Sequence, residues 1–221
     1  MLLVSILLAV IPAFLLLVYF YKKDRQKPER FGRVMRVFAF GILSVIPAII
    51  IELVLDSFLG EGKTLLLLLV EAFIVAALVE ESLKLATVRL FAYNRPEFDE
   101  ITDGIVYTVA ASLGFAVLEN ILYSLDGSVG IVLIRGITAV PLHAIASGIM
   151  GYYIGLSKMS GKSYIGRGLL FAVLIHGVYD FVLFTETGFA FLVIPLLVIC
   201  WFILRNLNKK ALAEDRESGR S

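Results

Sequence analysis

From Leu2 to Tyr21 the chain carries no charged residue, and that length matches the ~20 residues an α-helix needs to cross a hydrocarbon core about 30 Å thick. Comparable apolar runs recur as far as residue 207. With 59% of residues hydrophobic and 18% charged, and a mean hydropathy of +0.91, a water-soluble core cannot absorb them all. Lipid offers the backbone no hydrogen-bond partners, so segments of this kind close their own ladders as helices. The expected fold class is therefore all-α, a polytopic transmembrane helix bundle.

Seven spans are predicted, at about 2–21, 34–58, 64–93, 104–124, 129–156, 168–184 and 189–207. The turn 60–63 and the turn 126–128 break the pattern with glycines, and Pro96 marks the end of the third span. Basic residues set the orientation. Lys22, Lys23, Arg25, Lys27, Arg30, Arg33 and Arg36 crowd the first loop, Arg89 and Arg95 flank the end of span three, and Lys158, Lys162 and Arg167 mark a later loop. Cytoplasmic loops collect Lys and Arg, so the N-terminus is expected outside and the C-terminus in the cytoplasm, with Lys63 the exception. The first run has no basic n-region before it and no small-residue cleavage site after it, so it reads as a retained span. Residues 1–207 then form a single integral-membrane domain, and 208–221 a polar cytoplasmic tail expected to be disordered. A single cysteine, Cys200 beside Trp201, excludes an internal disulfide and reads as a packed thiol.

Ionisable residues inside such spans are costly, ~2.5–3.5 kcal/mol or more, and they mark function unless they only tie helices together. The densest group is Val79-Glu80-Glu81-Ser82-Leu83-Lys84. On a helix Lys84 is i,i+4 from Glu80 and i,i+3 from Glu81, so it can pair with either. One carboxylate is then left to meet water in a protein-lined pocket, as a general base must. The bland alternative is a structural ion-pair cluster.

Others follow at membrane depth: Glu71, Glu119 with Asn120, His143 two residues after Pro141, and His176 four residues before Asp180. That last spacing puts Asp180 and His176 on one helical face, where the carboxylate can orient the imidazole. Pro141 is expected to bend its helix, and Gly148, Gly151 and Gly155 offer a face for close helix packing. At ~1.5 Å per residue from the nearest cytoplasmic marker, Glu81 lies ~12 Å up, His176 ~13 Å, Asp180 ~20 Å, His143 ~22 Å and Glu119 ~24 Å. These depths suit one shared cavity opening outward.

Four stretches together, Glu80-Glu81-Ser82-Leu83-Lys84, Asp103 to Tyr107 with Gly114 to Ile121, Pro141 to Tyr153, and His176-Gly177-Val178-Tyr179-Asp180, resemble the PrsW family of bacterial membrane proteases. The resemblance covers nearly the whole chain. It implies a bacterial cell-membrane endopeptidase that makes the site-1 cut in a single-pass anti-sigma factor, starting regulated intramembrane proteolysis. It also implies distant kinship with the CAAX prenyl protease and bacteriocin-immunity superfamily. That pattern has histidine where this chain has Glu119.

The candidate catalytic residues are Glu80, Glu81, Glu119, His143, His176 and Asp180. In one mechanism Glu80 or Glu81 activates water while a histidine stabilises the oxyanion or protonates the leaving amine. In the other, Zn²⁺ is held by His143, His176 and a glutamate, Glu119 being the obvious extra ligand, and a remaining glutamate is the base. The His-Glu-x-x-His signature is absent, and the metal-free version is the preferred expectation, since only two histidines are available and Glu119 is the sole obvious extra ligand on a neighbouring helix. The partners expected are the membrane-protein substrate and lipids, with no nucleic acid. An ion- or proton-coupled transporter, or an inactive binding protein of the same fold, is the alternative.

Overall fold

In the computed structural model, residues 2–24, 27–60, 62, 64–126, 129–186 and 188–219 are described. Arg25 of the first loop, Glu61, Lys63, Gly127 and Ser128 of the expected turns and the last two residues of the tail lie outside them. The described residues hold helices and no strand: α1 (Leu2–Tyr21), α2 (Phe31–Asp56), α3 (65–93), α4 (Ile101–Asp126), α5 (Val129–Ile137), α6 (Ala139–Ser160), α7 (Ile165–Phe184) and, after a 3₁₀ turn at Gly188–Leu192, α8 (Val193–Glu217).

These follow the seven predicted spans, with α5 and α6 sharing the fifth. Phe31–Asp56, Ile101–Leu125, Val129–Ser160, Ile165–Phe184 and Gly188–Glu217 are long and apolar enough to cross a membrane, and Ile6–Tyr21 is a shorter apolar helix. The protein is a multi-pass membrane helix bundle. The third predicted span differs in kind, since it carries Glu71, Glu80, Glu81 and Lys84 and is not regular. Its wide π-helical stretch Glu71–Leu78 leads into the α-helical Val79–Val88, and Arg89–Tyr93 is again π-helical. Such turns inside a helix gather at functional sites.

Pro141 has the expected effect. Its ring crowds the carbonyl four residues back, that of Ile137, and removes one rung of the ladder; the helix breaks at Thr138 (φ −121°, ψ −61°), and α6 begins at Ala139. The break places His143 in the first turns of α6.

The centre of the bundle is α4, buried at every residue from Ile101 to Val117 and packed between α2 and α6. Both contacts need glycine. A Cβ on Gly114 would stand 2.0 Å from the Phe38 carbonyl oxygen of α2, and one on Gly151 of α6 would stand 2.4 Å from that of Gly104. Backbones this close gain the dense packing that holds helices together where lipid supplies no hydrophobic drive. The outer surface is apolar instead, with Leu15, Leu53, Leu66, Leu90, Ile137 and Phe202 each more than half exposed.

The tail departs from its expected disorder. α8 continues to Glu217, because Asp215 is fully engaged: Oδ1 accepts the Ile101 N–H (2.8 Å), while Oδ2 accepts the Thr102 N–H (3.0 Å) and the Thr102 hydroxyl (2.8 Å). A buried carboxylate thus caps the N-terminus of α4, where unpaired N–H groups attract negative charge.

Candidate active site

Lys84 is the hub. It is fully buried, and its Nζ donates to Glu80 Oε2 (3.0 Å) and Glu81 Oε1 (2.8 Å) and lies 2.8 Å from His143 Nδ1. The face of Phe115 is 4.5 Å below it. One ammonium therefore serves both carboxylates, where the sequence led to the expectation that one would be left over; the i,i+3 and i,i+4 spacing lets it reach the two at once.

The two glutamates then part ways. Glu81 is sealed: Oε1 also accepts from His176 Nδ1 (3.0 Å), and Oε2 accepts the Ser147 hydroxyl (2.6 Å). Glu80 instead lines a cavity of about 550 Å³, together with Glu119, His143, His176 and Asp180. That cavity reaches Asp56 at the end of α2 and Phe184 at the end of α7.

Each histidine is pinned through one ring nitrogen. His143 Nε2 donates to Glu119 Oε2 (2.8 Å), and the other Glu119 oxygen accepts from Arg135 Nη2 of α5 (2.5 Å). His176 Nδ1 donates to Glu81. An imidazole held this way by a carboxylate keeps its second nitrogen aimed and basic. Those second nitrogens, His143 Nδ1 and His176 Nε2, each lie 3.9 Å from Glu80 Oε2, and the rings meet edge to face at 5.0 Å. Asp180 Oδ2 stands 3.3 Å from His176 Nε2.

Glu80, His143 and His176 thus bring one donor atom each within 4.8 Å of one another. Two imidazole nitrogens and one carboxylate oxygen, buried but facing a cavity, are the donor set of an open zinc site. The group fits a metal by ligand type, by closeness and by its carboxylate-held imidazoles, once the Lys84 ammonium withdraws from His143 Nδ1.

A family model described as the PrsW family intramembrane metalloprotease matches residues 29–205. The chain belongs to the PrsW family. It is similar to Protease PrsW of Geobacillus kaustophilus, 40% identical over 204 residues that cover 90% of this chain and 89% of that protein. Protease PrsW of Halalkalibacterium halodurans is 36% identical, covering 94% and 97%, and that of Bacillus subtilis 34% identical, covering 90% and 92%. No solved structure matches. The protein is thus a PrsW-type membrane protease, and the metal-free preference drawn from the sequence finds no support in a family described as metalloproteases.

Of the six candidate residues, five line the PrsW cavity and Glu81 stands behind it. Glu119, expected as the extra ligand, is outside the group of three because Arg135 and His143 occupy both its oxygens; Glu80 takes that place. Glu71 lines the cavity too, while Asn120 Oδ1 accepts from Arg135 Nε (2.9 Å). Arg135 and Glu52, which also line the cavity, and Ser147, which holds Glu81, have no counterpart among the residues singled out from the sequence. The first two had a signal, a charge inside an apolar run, and were passed over; Ser147 had none.

Proposed function

We propose that this chain makes the site-1 cut in a single-pass anti-sigma factor, with Glu80, His143 and His176 holding Zn²⁺ and Asp180 moving the proton. The observation that carries this reading is the pair of carboxylate-pinned histidines whose remaining nitrogens face Glu80 across the cavity. Bound there, Zn²⁺ would polarise the scissile carbonyl and lower the pKa of water.

The chain's own residues divide the remaining work. Glu81 and Glu119 fix the two imidazoles, and Lys84 and Arg135 balance the charge of those carboxylates. Asp180 faces the cavity, so its Oδ2 accepts the proton of the attacking water and returns it to the leaving amine. Arg135 lines the same wall and adds positive charge where the oxyanion develops.

A peptide bond inside a substrate helix is shielded by its own ladder, so the cut needs a segment that unwinds into a wet, protein-lined space. The cavity reaches the helix ends opposite the Lys- and Arg-rich loops, which the positive-inside rule assigns to the outer face. A cut near the extracytoplasmic end of the substrate span follows. Co-expression with a single-pass substrate tests this: wild type yields a product whose new terminus maps outside the span, and Glu80→Gln yields none. A terminus on the cytoplasmic side would contradict it.

One observation favours a second reading, in which Glu80 activates water without a metal. Lys84 Nζ lies against His143 Nδ1, the lone pair that a metal would need.

A further inference from the structure

At the other end of α4 from Glu119, three acids meet away from the cavity. Asp24 follows α1, Glu100 precedes α4 and Asp103 lies in its first turn; they are 2%, 1% and 1% exposed. Each offers a carboxylate oxygen to a group whose oxygens all lie within 4.8 Å of one another.

The backbone uses only some of these oxygens. Asp24 Oδ2 accepts the Glu29 N–H (3.2 Å), and Asp103 Oδ2 accepts those of Asp99 (2.9 Å) and Glu100 (2.8 Å). Asp24 Oδ1, Glu100 Oε1 and Asp103 Oδ1 are shut from solvent and have no hydrogen-bond partner among the described residues. Among the described residues, three nearby cations are engaged elsewhere. Lys27 pairs with Asp99, Arg33 with Glu29 and Glu97, and Lys158 donates to the carbonyls of Tyr93 and Arg95. Burial, with neighbouring negative charge, pushes the Asp24 carboxyl up to about 6 and that of Glu100 up to about 7.

Three buried carboxylates this close together, each with an orphaned oxygen, are costly unless something positive joins them. We propose that Asp24, Glu100 and Asp103 form a binding site for a hard divalent cation of the Mg²⁺, Mn²⁺ and Ca²⁺ class. Oxygen-only donors select such ions over the softer zinc. Around a cation holding oxygens at about 2.4 Å, ligand atoms stand no more than about 4.8 Å apart, and this group lies within that limit. The ion ties the loop after α1 to the first turn of α4, the helix that carries Glu119 further along. This site is independent of the Glu80 group and of the proposed proteolysis.

The test is Mn²⁺ binding to the purified full-length protein in detergent, read by electron paramagnetic resonance and by thermal unfolding. Wild type and Glu80→Gln are expected to share a site whose occupancy raises the unfolding midpoint. Asp24→Asn and Glu100→Gln each weaken that site by about tenfold or more, because affinity follows ligand charge. Equal binding in all four proteins overturns the proposal. So does a wild type that binds no Mn²⁺ beyond what Glu80→Gln abolishes.

Discussion

The two ends of α4 hold buried carboxylates in opposite conditions. Near Glu119, the carboxylates of Glu80, Glu81 and Glu119 have each met an ammonium, a guanidinium or an imidazole. Near Asp103, three buried carboxylates each keep an oxygen that has no partner among the described residues. Charges satisfied by one another make a locked arrangement in which each group aims the next. Charges left unsatisfied make a place that an added cation, or a proton, completes.

The largest effect should come from removing the hub of the locked end. Lys84→Met leaves Glu80 and Glu81 adjacent with no cation, and breaking a buried pair in this way costs about 3–5 kcal/mol. Thermal unfolding in detergent reads it. Unchanged stability would mean that the carboxylates and histidines hold their places without the lysine.

A smaller loss is expected from Glu119→Gln. His143 Nε2 keeps an acceptor, but the charge that steadies it and pairs with Arg135 is gone, so metal affinity should fall about 10–100-fold. Metal titration checks this, and an affinity equal to wild type would reduce Glu119 to an inter-helix tie.

The smallest effect belongs to the open end. A carboxyl raised in the folded state binds its proton more tightly there than in the unfolded chain. Its stabilisation is therefore complete below the unfolded value and lost as pH climbs through the folded one. With chelator present, the unfolding midpoint should drop as pH rises from about 4 through about 6 for Asp24 and about 7 for Glu100. Glu100→Gln should remove part of that slope, and Mn²⁺ should flatten it. A slope that is the same in Glu100→Gln would place the titration elsewhere.

Much of the bundle was legible because apolar runs and Lys/Arg-rich loops report spans directly, and Pro141 announced the break that sets His143. The tail was misread for lack of a local signal: Asp215 looks like one more polar tail residue until Ile101 and Thr102, more than a hundred positions away, present their N–H groups to it. Helical spacing showed that Lys84 can reach either glutamate. It does not reveal which of the two faces the cavity, because that depends on Ser147 and His176 arriving from other helices. Arg135 was readable in principle, as a charge among Val132, Leu133, Ile134 and Ile137. Its pairing with Glu119 was not, since that requires the fold of α4 against α5.

The most direct test of the site joins metal content to turnover. Purified protein should carry one zinc, lose cleavage of a membrane-embedded substrate when the metal is stripped, and regain it when zinc is restored, while Glu80→Gln and His176→Ala neither retain the metal nor cleave. Full activity in thoroughly metal-free protein would contradict the zinc assignment and leave Glu80 acting on water alone.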